Sequence, residues 1–130
     1  MSVMPGSAKD LKIGRYVMID GEPCKVVEIQ SSAPGKHGAA KMRITGISIF
    51  NGGKYTLMKP SDADVEIPVI EKKSAQVVSV SGDLAQVMDP VSYEMYELKI
   101  PEELKSQVEA GKEVELLDTL GKKLMQRVKL

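Results

Sequence analysis

Strand-forming runs of four to eight residues, cut off by Gly, Pro, Asn and Asp, leave this chain little choice but a β fold. Tyr16-Val17-Met18-Ile19 ends on Asp20-Gly21-Glu22-Pro23, a strong turn signal, and Cys24 to Ile29 forms the next alternating run. Further on, Met42 and Ile44 alternate in one phase and Ile47 and Ile49 in the other. The switch falls at Thr45-Gly46, where a β-bulge would restore a common inward face. Asn51-Gly52-Gly53 predicts a tight hairpin turn into Lys54-Tyr55-Thr56-Leu57. Strands this short, joined this tightly, curl into a small barrel more readily than they spread into an open sheet.

The acidic, proline-containing stretch Asp62 to Pro68 interrupts the series and places a domain boundary near Val69. A chain of 130 residues is one medium domain or two small ones, and the boundary favours two, 1–69 and 70–130. The second half carries strand patterns at Ser74 to Ser81, Leu84 to Met88, Tyr93 to Ile100, Glu113 to Leu117 and Lys123 to Val128. Between the third and fourth, Pro101 to Ala110 predicts the one helix. Pro101 suits its first position, Glu102 and Glu103 the positive end of its dipole, and Gly111 its stop. Five strands with one inserted helix look like an OB-fold. The expected fold is therefore all-β, a small barrel followed by an OB-fold barrel with one short helix.

Hydrophobic content of 42% and charged content of 28% describe an ordinary soluble globular protein. No apolar run reaches membrane-spanning length, and Met1 to Ser7 lacks the basic and apolar regions of a signal peptide. A cytoplasmic protein that does not engage a membrane is expected. Cys24, the single cysteine, cannot form an internal disulfide and suits a buried position in a reducing compartment. One His and one Cys make a metal site an unsuitable reading. A Ser-His-Asp set built on His37 would put its base on a loose glycine loop, where it would be poorly oriented. With no constellation of acid, base and nucleophile, the chain is not expected to be an enzyme or to act on a small-molecule substrate.

The net charge of zero hides a division: residues 1–69 hold nine Lys/Arg against seven Asp/Glu, and residues 70–130 nine against eleven. Between Glu28 and Asp62 stand Lys36, His37, Lys41, Arg43, Lys54 and Lys59 with no acid among them. Such a block suits a polyanion such as RNA, with Lys41, Arg43, Lys54 and Lys59 as candidate contacts; a solvated sheet face lacking acids is the other reading. Generic binding of single-stranded RNA by the second half has little support, since that half offers only Tyr93 and Tyr96 and a charge of −2.

Between two strand runs lies Ser31-Ser32-Ala33-Pro34-Gly35-Lys36-His37-Gly38-Ala39-Ala40-Lys41. Pro34 can preset a turn, Gly35 accepts the positive φ that a type II turn needs, and Gly38 relieves crowding beyond, so Lys36 is expected at an exposed tip. A Walker A loop would need a glycine where the chain has Gln30, a Ser or Thr where it has His37, and a helix next. Spacing alone leaves two readings, a solvated hairpin tip and a functional lysine presented to a partner.

The Gly35-Lys36-His37-Gly38 core, the later run Gly46-Ile47-Ser48-Ile49-Phe50-Asn51-Gly52-Gly53-Lys54, and the order barrel, acidic linker, strands with helix resemble the hypusine-containing translation factor 5A family of archaea and eukaryotes. The resemblance runs along nearly the whole chain. It implies an SH3-like barrel followed by an OB-fold. It also implies that deoxyhypusine synthase transfers an aminobutyl group from spermidine to Lys36, giving deoxyhypusine or, after hydroxylation, hypusine, with Pro34, Gly35, His37 and Gly38 forming the modification loop. No further cofactor is implied. The implied partners are the ribosome and peptidyl-tRNA. The modified arm is expected to reach the peptidyl-transferase region and promote peptide bond formation at stalled sites such as proline runs, with roles in initiation and termination implied as well. Pro34 and Ala39 stand where the eukaryotic pattern has Thr and His, which is similar to the archaeal type. The bacterial elongation factor P family also carries a basic residue on such a loop, but it has a third domain and this chain has His37 beside the lysine.

Overall fold

The computed structural model describes residues 3–32 and 40–129. The chain divides into two compact units, Met1–Val69 and Ile70–Leu130. The first contains β1 (Val3–Ser7), a 3-10 turn at Ala8–Asp10, β2 (Tyr16–Ile19), β3 (Glu22–Ser32), β4 (Lys41–Ser48), β5 (Lys54–Pro60) and β6 (Asp64–Pro68). Strands β2-β3-β4-β5 form a four-stranded antiparallel sheet, and β1 pairs with β6. The larger sheet curls around Val17, Ile19, Cys24, Val26 and Ile44, all buried, and Val65 of β6 joins the same core. The β1–β6 pair thereby closes the open side, as in an SH3-like barrel.

Strands β1 and β6 were not expected from the sequence. Asp64 and Glu66 take outward positions and Val65 the inward one, so acidic residues sit in a strand without burying charge. Gly6 permits the pairing, because a Cβ there would stand 2.7 Å from Ile67 Cγ1.

The bulge also lies elsewhere than expected. It is on β3, where Val26 pairs with Gly46 and Glu28 with Thr45, leaving Val27 as the extra, solvent-facing residue. Strand β4 keeps one inward phase through Met42, Ile44, Gly46 and Ser48, and Ile47 and Ile49 are only half-buried. At Gly46 a Cβ would meet Cys24 Cβ at 2.7 Å and Ile19 Cδ1 at 3.3 Å. A residue without a side chain holds an inward position there, which made the hydrophobic alternation look broken.

Cys24 is fully buried and its thiol is pushed from 9.0 to about 11, first by burial and then by the carboxylates of Glu22 and Asp20. It is expected to resist alkylation in the folded protein at pH 8 and to react once the protein is unfolded. The unfolded thiol loses its proton near 9.0 while the folded one holds it to about 11, so this group lowers stability as pH rises through that window and is neutral below it. Denaturant midpoints measured across it, with Cys24→Ala as the control that lacks this component, check the sign.

The second unit contains β7 (Glu71–Ser81), β8 (Leu84–Met88), β9 (Met95–Lys99), β10 (Glu113–Thr119) and β11 (Lys122–Val128), paired in the order β11-β10-β7-β8-β9. Strand β11 returns against β9, which closes the barrel in the connectivity of an OB-fold. Its core is Ala75, Val77, Ala85, Val87, Val114, Leu116 and Met125, with Ile100, Leu104 and Val108 from the segment joining β9 to β10.

The helix expected over Pro101 to Ala110 is a single 3-10 turn at Glu102–Leu104 followed by further turns. The N–H of Leu104 bonds to Pro101 O at 2.9 Å and that of Gln107 to Leu104 O at 2.9 Å, both spanning three residues. Ten residues are too few to hold a helix by propensity alone, and the sheet competes for the end of the segment. Gly111 N–H bonds to Val77 O and Val77 N–H to Lys112 O, each at 2.8 Å. The capping signals mark the start and stop correctly, but side-chain packing and these bonds set the path between them.

Candidate functional site

Pro34, Gly35, Lys36, His37 and Gly38 lie outside the described residues. What is described is the stem that carries them. Strands β3 and β4 pair up to Ser32 opposite Lys41, preceded by Ser31 opposite Met42 and Gln30 opposite Arg43. Ser32 Oγ donates to Lys41 O at 3.3 Å, and Ser61 N–H donates to Ala40 O at 2.7 Å. Both sides of the stem are therefore tied, one across the ribbon and one to the segment after β5.

Antiparallel partners share a face, so the registers fix which side chains stand together. On the outer face of the sheet, Lys41 lies between Ser32 and Pro60, Arg43 between Gln30 and Met58, and Ile47 between Lys25 and Lys54. Arg43 is exposed while its neighbours Met42 and Ile44 are buried, the orientation that alternation predicts. Lys41, Arg43 and Lys54 thus share one face. Lys25 joins them, although it precedes the acid-free interval. Cross-strand register, invisible to a linear charge count, is what brings it there. Glu28, opposite Thr45, is the acid on this face. Beside the stem a cavity of about 290 Å3 is lined by Gln30, Ser32, Lys41, Arg43 and Met58 among others.

Lys59 stands apart. It is opposite Met42, on the core-facing side of the sheet, half-buried beside a groove that also holds Asp20, Asp64 and Glu66. Adjacency in sequence grouped it with the other cations; strand alternation separates them.

The run Gly46 to Lys54 has a structural role that sets the far end of this face. Ser48 Oγ donates to Glu22 Oε2 at 3.2 Å and accepts the N–H groups of Phe50 at 3.2 Å and Asn51 at 3.1 Å. Asn51 Oδ1 accepts Gly53 N–H at 2.6 Å. The turn is locked by side chains, and Lys54 begins β5 directly after it.

The second unit distributes charge differently. Lys73 and Lys123 reach Asp118 at 3.0 and 3.6 Å, Arg127 reaches Glu115 at 3.2 Å, and Lys129 reaches Glu113 at 3.3 Å. The Asp118 carboxylate raises the Lys73 ammonium above its ordinary value. Tyr93 is exposed, whereas Tyr96 donates to Glu94 Oε2 at 3.0 Å and lies under Lys123 Nζ at 4.4 Å from its ring centre. Cations committed to local carboxylates contribute little to a field for a polyanion. Among the described residues no three His, Cys, Asp or Glu are grouped to hold a metal ion, and no helix is long and apolar enough to cross a membrane.

Residues 2–63 match the family model described as "Translation initiation factor 5A-like, N-terminal", and residues 69–129 match "Eukaryotic elongation factor 5A hypusine, DNA-binding OB fold". The chain belongs to the translation initiation factor 5A family. Translation initiation factor 5A of Methanopyrus kandleri is 50% identical over 131 residues, covering 99% of this chain and 96% of the relative. That of Archaeoglobus fulgidus is 48% identical over 120 residues, covering 92% of this chain and 94% of the relative. The solved structure described as eukaryotic translation initiation factor 5A from Methanococcus jannaschii superposes with a TM-score of 0.92 at 42% identity, over 98% of this chain and 96% of that one. A family protein from Naegleria fowleri superposes with a TM-score of 0.78 at 32% identity over the whole of both chains. The translation initiation factor 5A family consists of translation factors, not enzymes, and the order of a first barrel and an OB-fold is the family's own.

Proposed function

We propose that the protein is a cytoplasmic, ribosome-binding translation factor that works through Lys36, extended by an aminobutyl group from spermidine to deoxyhypusine or hypusine. The observation that carries this is the sequence Gly35-Lys36-His37-Gly38 between two paired strands, in a chain whose second unit matches a family model that names hypusine. The extension lengthens the side chain and adds a second protonated nitrogen, so attraction to phosphate grows while the arm stays slender. To accept the group, Lys36 must offer a neutral amine as nucleophile, and deoxyhypusine synthase has to desolvate or deprotonate it. At the peptidyl-transferase region the arm steadies peptidyl-tRNA and raises the rate by positioning the reactants rather than by acid–base chemistry. Proline runs, where the nascent chain presents poor geometry, gain most.

Lys41, Arg43, Lys54 and Lys25 supply the supporting face that meets RNA phosphate. Arg43 is the strongest single member, because its planar fork can hold one phosphate through two hydrogen bonds. Ribosome affinity measured across a salt series tests this. Arg43→Ala should lower the salt-dependence slope by about one unit, as loss of one phosphate contact does, and Lys25→Ala should do the same. Lys59→Ala, from the other side of the sheet, should leave the slope unchanged. Equal slopes for Arg43→Ala and the parent, with folding intact, would make this face merely solvated.

A further inference from the structure

The first unit also has an open groove of about 460 Å3 between β1, β2, β5 and β6. Val3, Pro5, Met18, Leu57 and Val65 form its apolar lining, together with Met4, which is 53% exposed. Asp20, Asp64 and Glu66, all exposed, stand around it with Lys59, so its four charged groups sum to −2 inside a unit whose total is +2.

We propose that this groove docks an extended, lysine-bearing segment of a partner protein. It goes beyond the translational reading and uses none of the residues assigned to it. Charge complementarity selects the sign of the occupant: the carboxylates favour ammonium groups and repel nucleic acid phosphate. The apolar lining selects its stem, since a lysine side chain lays its methylenes on apolar surface while its head stays in water. Exposed carboxylates contribute too little to hold a small free cation, whereas a segment of several residues adds contact along the whole lining. Met4 and Met18 suit such a role, because unbranched thioether side chains adapt to an incoming chain. Strands β1 and β5 are each the last of their sheets, so an extended segment beside them also finds backbone groups to pair with.

The probe is an acetylated and amidated hexapeptide of alternating leucine and lysine, added at low salt to the full chain carrying 13C-methyl methionine. The expected result is shifts at the methyls of Met4 and Met18, with Met58 on the outer face and Met125 in the second core unmoved. Asp64→Asn with Glu66→Gln should keep the parent's melting temperature and weaken the peptide by about tenfold, and added salt should act in the same direction. No shift at Met4 and Met18 with millimolar peptide overturns the proposal. So does equal binding of a peptide with glutamate for lysine, or of free 1,5-diaminopentane, which would make the site one for small organic cations. Shifts of the same methyls with single-stranded RNA, or with protein concentration alone, would assign the groove to nucleic acid or to a second copy of the chain.

Discussion

Lys36→Arg is expected to fold and melt like the parent protein and to lose all activity on messages that stall at proline runs. Arginine keeps the positive charge, so an effect of charge alone would survive the change. It stays protonated under any condition a modifying enzyme can create, and it cannot present the neutral amine that accepts the aminobutyl group. Loss of activity with charge retained therefore separates the covalent extension from simple attraction to RNA. The measurements are a melting curve and the rate of synthesis through a proline-run reporter. A fall in melting temperature like that of a core mutation would mean that Lys36 holds the fold together instead, and normal synthesis would remove it from the mechanism.

The largest expected effect on stability comes from a residue with no side chain. Gly46→Val would drive a Cβ to 2.7 Å from Cys24 Cβ and to 3.3 Å from both Ile19 Cδ1 and Lys25 O. The nearest neighbour is a buried Cβ fixed to its own backbone, and another is a backbone oxygen. The Ile19 side chain is itself packed in the core, so relief requires β3 and β4 to move apart. Overpacking of this kind costs about 3 kcal/mol, which in a unit of this size lowers the melting temperature by more than about 10 °C. Thermal unfolding followed by circular dichroism checks it. A shift within a few degrees would show that β3 and β4 can separate at the bulge more easily than their register suggests.

Gly46 also shows why part of the fold could not be read from the chain. Strands β2, β3, β5 and β8 announce themselves by alternation between turn signals such as Asp20-Gly21, where both residues adopt positive φ. At Gly46 the inward position is filled by backbone proximity rather than by a hydrophobic side chain, and that contact exists only once β3 lies alongside. Strands β1 and β6 stay hidden for a related reason: Val3–Ser7 and Asp64–Pro68 are strands because they pair with each other across sixty residues of chain. The end of the expected helix yields to hydrogen bonds with Val77, which no local pattern at Pro101 to Ala110 encodes. The site divides in the same way. Lys36 is proposed from its flanking glycines and motif alone, whereas the outward turn of Arg43 is legible from simple alternation. The inclusion of Lys25 in the cationic face and the departure of Lys59 from it follow from register and from strand parity, which need the assembled sheet.

Peptide mass mapping of the protein purified from its native source tests the central claim most directly. The account predicts one added aminobutyl group, with or without one further oxygen, on the peptide containing Lys36 and on no other lysine. A native protein whose Lys36 is wholly unmodified, or whose added group lies on Lys41, Lys54 or any other lysine, would contradict it.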